Sequence, residues 1–119
     1  MRETATAAEV RANFIIEDID EAVKTLVETM SDQLDYDTSG ELLEAAINAV
    51  TQEEADSADF YSKLAWIARQ CFLMGFADAF RKSAEAARMG YNELFPVGGG
   101  TTLVLLLKAR TRLERGLVA

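Results

Sequence analysis

A chain of 119 residues, 50% hydrophobic and 27% charged, has the length and mixture of one globular domain rather than of a disordered segment. It contains no histidine, which removes every Ser/His or Cys/His nucleophile and the commonest neutral-pH acid or base, and makes a zinc site unexpected. The net charge of −8 conceals an asymmetry: residues 1–60 hold sixteen Asp/Glu against three Lys/Arg, a balance of −13, and residues 61–119 hold four against nine, a balance of +5.

Net acidity argues against direct nucleic-acid binding, which needs a dominant basic surface. The dipolar pattern suits packing of one half on the other, or pairing with a second copy. No apolar stretch at the start of the chain looks like a secretory signal. The longest uncharged run, Leu94 to Leu107, is broken by Pro96 and three glycines, so no bilayer span of roughly 20 residues is expected. The expectation is a cytoplasmic protein without membrane contact. Cys71, the single cysteine, reads as a small core residue rather than a reactive thiol.

In chain order, Thr6 with Glu9, Thr38 with Glu41 and Thr51 with Glu54 have the spacing of capping boxes and predict helix starts. The stripe Ile16, Ile19, Val23, Leu26, Met30 predicts a helix from about Glu17 to Gln33. Its outer face carries Glu17, Asp18, Glu21, Glu28 and Asp32, with Lys24 as the only local relief. Glu41 to Val50 reads as a shorter helix with Leu42, Leu43, Ala46, Ile47 and Val50 inward. A long central helix is predicted over about residues 52–89, with Gly90 as its left-handed cap and a bend near Gly75 or a later start after Ser57 as variants. Residues 95–101 read as a Pro/Gly-rich connector. A last helix from Thr101 or Thr102 places Leu103, Leu106, Leu107, Leu113 and Leu117 on one side, and Lys108, Arg112 and Arg115 on the other.

Two stretches invite comparison with ligand-binding loops. Asp35, Asp37 and Ser39, followed by Gly40 and Leu42, match alternating positions of a calcium loop, and the segment resembles that of the EF-hand family. Ala46 stands where the family has a bidentate Glu, so the resemblance implies weak calcium binding at most. Gly98 to Gly100 is similar to a phosphate-cradling loop but lacks the following Lys, and reads as a connector.

The central helix is apolar on two sides. Phe60, Leu64, Ile67, Cys71 and Met74 form one stripe, and Trp66, Leu73, Phe76, Ala77, Phe80 and Ala84 form another. Asp78 continues the first stripe and is expected to pair with Arg81 or Lys82. Covering both stripes predicts that Trp66, Leu73, Phe76 and Phe80 lie at an interface, most simply a two-fold homodimer. The expectation is therefore an all-α single-domain bundle of four to five helices. It is a non-enzymatic protein-interaction module without cofactor, whose partners are itself and a protein with a basic surface. The alternatives are an acidic inhibitor that imitates nucleic acid, as in phage or mobile-element regulators, and a weak calcium-binding module.

Overall fold

Five helices make up most of the described chain, which in the computed structural model comprises residues 19–51, 57–98 and 101–116. No strand occurs among these residues, as the period near 3.6 requires. Helix α1, Ile19–Gln33, turns Ala22, Val23, Leu26, Val27 and Met30 inward and carries Asp20 and Glu21 in its first turn, where the helix dipole favours negative charge.

Helix α2, Tyr36–Thr51, starts a full turn earlier than Glu41. Its cap is Asp35 rather than Thr38. The Thr38 N–H donates to Asp35 Oδ1 at 2.6 Å, and the Ser39 N–H donates to the Asp35 carbonyl at 3.0 Å. Thr51 belongs to this helix rather than capping the next, its hydroxyl donating to the Ile47 carbonyl. The Thr6/Glu9 box and Glu54 lie outside the described residues.

The single long helix over 52–89 is corrected to two. Helix α3, Ala58–Gln70, and helix α4, Met74–Arg88, are separated by a sharp reversal at residues 71–73. There the Phe72 N–H donates to the Arg69 carbonyl at 3.1 Å and the Leu73 N–H to the Ala68 carbonyl at 2.8 Å, with Phe72 in the left-handed region at φ 64°. This crossed pair closes a helix by satisfying its last carbonyls, and it normally uses Gly at the left-handed position. The end of α4 repeats the device with the expected residue. Gly90, at φ 97°, donates to the Ala87 carbonyl at 3.0 Å, and Tyr91 donates to the Ala86 carbonyl at 2.9 Å.

Three hydroxyls hold the segment after Gly90. Ser83 Oγ accepts from the Phe95 N–H at 3.1 Å, Thr102 Oγ1 donates to the Phe95 carbonyl at 2.6 Å, and Ser57 Oγ donates to Asn92 Oδ1 at 2.8 Å. Both backbone polar groups of Phe95 are thereby satisfied beside the core, and Val97 is buried. This part of the predicted connector is a packed element.

Helix α5, Thr102–Gly116, buries Thr102, Leu105, Leu106, Ala109 and Leu113. The inward stripe is thus rotated from the predicted one, and Leu107 is exposed. Helices α3 and α4 form an antiparallel hairpin. Helix α5 packs on both α1 and α2, α3 touches both of those as well, and α4 lies at the edge with α3 as its main neighbour. One continuous core draws on all five helices.

Candidate interaction surfaces

The reversal at Phe72 decides which apolar residues are available. It folds α4 back so that Phe76 and Phe80 point into the chain's own core, where both have 0% exposure, and Leu73 is half-buried against the same cluster. Their expected place at an interface is therefore corrected: a stripe that needed a second molecule on one straight helix is covered by the chain itself when that helix is folded in two. Trp66 alone of that set faces outward, 48% exposed with Lys63 Nζ 5.2 Å from its ring centroid, a cation–π distance.

Asp78 is likewise displaced from the seam, because the break resets the helical phase. Its side chain is half-exposed and pairs with Arg81 Nη2 at 2.9 Å and Lys82 Nζ at 3.2 Å, while Arg81 Nη1 reaches Glu85 Oε2 at 2.6 Å. The hydrogen bond from Arg81, with the nearby Lys82, holds the Asp78 carboxyl below its ordinary range. A depressed folded value means that its stabilising share is present above the ordinary carboxylate pKa and is lost as pH falls through the folded one.

The calcium-loop geometry does not form. Asp35 is committed to the α2 cap, and its bond to Thr38 lowers its pKa. Asp37 and Ser39 lie in the first turns of α2, where successive residues point around the helix rather than toward a common centre. Asp37 is exposed, whereas Ser39 is fully buried with its hydroxyl unpartnered. No group of three or more acidic or thiol side chains suited to a metal occurs among the described residues. Cys71 is half-buried at the end of α3, and burial raises its pKa, the opposite of thiolate activation.

Of the predicted acidic face, Glu17 and Asp18 lie outside the described residues. Glu21, Glu28 and Asp32 share one exposed stripe of α1, opposite its buried side. A second stripe on α2 carries Asp37, Glu41 and Glu44. The basic last helix meets the acidic half as the charge distribution suggested, among the described residues at two points: Lys108 Nζ lies 3.1 Å from Asp20 Oδ1, and Arg110 Nη1 lies 2.7 Å from Glu44 Oε2. Glu21, Glu28, Asp32, Asp37 and Glu41 stay outside the ion pairs of the described residues. Arg112 and Arg115 line a shallow groove between α1 and α5, floored by Val23 and Leu107.

Sequence reasoning missed four exposed apolar side chains at the ends of α4. Phe72 and Met74 stand at its start, 85% and 41% exposed, and Met89 and Tyr91 at its end, 74% and 60% exposed. The Gly90 cap could have located the second pair; nothing in the sequence marks the first. No helix among the described residues is long and apolar enough to cross a membrane. Comparison with family models, curated proteins and solved structures finds no match.

Proposed function

We propose that this chain is a non-enzymatic, cytoplasmic protein-interaction module that binds a partner with a basic surface through the acidic faces of α1 and α2 and also associates with itself. The observation that carries the reading is the group of exposed carboxylates, Glu21, Glu28 and Asp32 on α1 with Asp37 and Glu41 on α2, which form no ion pair among the described residues. Glu28 and Asp32 sit four residues apart on one helix, where like charges oppose each other by a few tenths of a kcal/mol. Their stripe also runs to the end of α1, whose last turn has no basic residue and whose dipole disfavours negative charge. A face that opposes its own helix in these two ways gains from a cationic neighbour, which raises both its association rate and its specificity.

A fluorescently labelled lysine-rich peptide tests the face itself. Its anisotropy should rise on titration with the protein, fall again as salt is added, and respond weakly to a Glu21→Gln, Glu28→Gln, Asp32→Asn variant. Equal binding by the variant rules this face out.

A further inference from the structure

Helix α4 is the edge of the bundle, and half of the eight large apolar residues exposed among the described residues lie at its two ends: Phe72 and Met74 at the start, Met89 and Tyr91 just after the last residue. Between these ends the exposed stripe carries Asp78, Arg81, Lys82, Glu85 and Arg88. Reversed about Ser83, this stripe sets the acidic positions 78 and 85 against the basic positions 88 and 81, with Lys82 outside the matching.

We infer that α4 is the self-association surface, and that two copies pair their α4 helices antiparallel about a two-fold axis crossing each helix at the level of Ser83. Counting two residues to either side of that level sets Arg81 opposite Glu85 of the second copy. Counting five sets Asp78 opposite Arg88. Each contact occurs twice, as an isologous interface requires. The same register carries Phe72 to a notch of about 300 Å³ at the far end of the second α4, lined in part by Met89, Tyr91 and Phe95. A parallel arrangement would also bring the apolar ends together, but it would set each charge beside its own copy, like against like.

Phe72 gives the argument its second support. It occupies a left-handed position that glycine fills at the other end of the same helix, and its ring is 85% exposed. Neither choice helps the fold, and backbone strain of this kind clusters at functional contacts. An exposed aromatic at a tip is also a side-chain type enriched at interfaces. The intrahelical bonds of Arg81 to Asp78 and Glu85 pre-orient those groups, lowering the entropy lost on pairing.

The proposal rests on the self-association part of the functional reading, and sedimentation velocity of the full chain separates the two. The wild type should pass from monomer to dimer below about 1 mM, a weak association suited to a small face. Arg81→Glu and Glu85→Arg, each alone, should raise the dissociation constant at least about tenfold by placing like charges across the axis. An equimolar mixture of these two variants should recover the dimer, because one copy presents two carboxylates to the two guanidinium groups of the other. Intrahelical effects cannot produce that recovery. Phe72→Gly should weaken the dimer without lowering the melting temperature. A wild type that stays monomeric at about 1 mM overturns self-association altogether. A dimer that both charge variants retain, or a mixture that fails to recover, overturns the α4 face and leaves self-association to another surface.

Discussion

Two buried hydroxyls, Ser39 Oγ and Tyr61 Oη, lack a hydrogen-bond partner of good geometry. Tyr61 is fully buried, and burial pushes its pKa up to about 12; the neighbouring Ser57 hydroxyl, which opposes the rise, is itself committed to Asn92. The folded chain therefore keeps this proton at pH values where the unfolded chain releases it. Stability from this group is intact below pH 10 and falls as pH rises toward about 12. Tyr61→Phe removes both the unpartnered hydroxyl and the titration. We expect it to be neutral or stabilising by up to about 2 kcal/mol at pH 7, and to flatten the alkaline limb of a melting-temperature series. A clear loss of stability at neutral pH would mean that the hydroxyl makes a bond that matters.

At the scale of elements, the decisive feature is a turn that the sequence hides. Gly90 announces its helix end, and Gly75 looked like the place for a bend, yet the chain reverses at Phe72 while Gly75 sits in the first turn of α4. Apolar periodicity located α1 because one face of one helix meets one core. It failed across residues 58–88 because two antiparallel helices facing each other look, in projection, like one helix apolar on both sides. Replacing Phe72 by Gly relieves a left-handed strain of roughly 1 kcal/mol and removes an exposed ring. The expected result is a melting temperature raised by a few degrees, and a drop would show that the ring packs on the fold. By contrast, Phe76→Glu places a carboxylate in the core shared by α3 and α4. The predicted cost exceeds about 4 kcal/mol, seen as loss of the cooperative transition by circular dichroism. A folded, well-behaved monomer would instead identify Phe76 as an interface residue.

Across the whole molecule, the opposed charges of the two halves are only partly reconciled. Two ion pairs, Lys108 with Asp20 and Arg110 with Glu44, join α5 to α1 and α2. Both are exposed and contribute little each, so apolar packing, not charge, seats the last helix. The helical class, the end of α1 at Gln33 and the pairing of Asp78 were all legible from residue spacing. The α2 start was not, because Asp35 outcompeted Thr38 for the cap, and that same choice dissolved the resemblance to a calcium loop. The solvent face of α1 was legible from its charges, whereas its role depends on a molecule outside the chain.

The most direct test of that role is quantitative affinity capture with the full chain. The wild type is compared with Glu21→Gln, Glu28→Gln, Asp32→Asn, and with Phe72→Gly as a control that leaves the acidic face intact. A basic protein retained by the wild type and the control, released by salt and lost with the neutralised face, is the predicted result. A partner held equally by all three chains, or retained at high salt, would contradict the account.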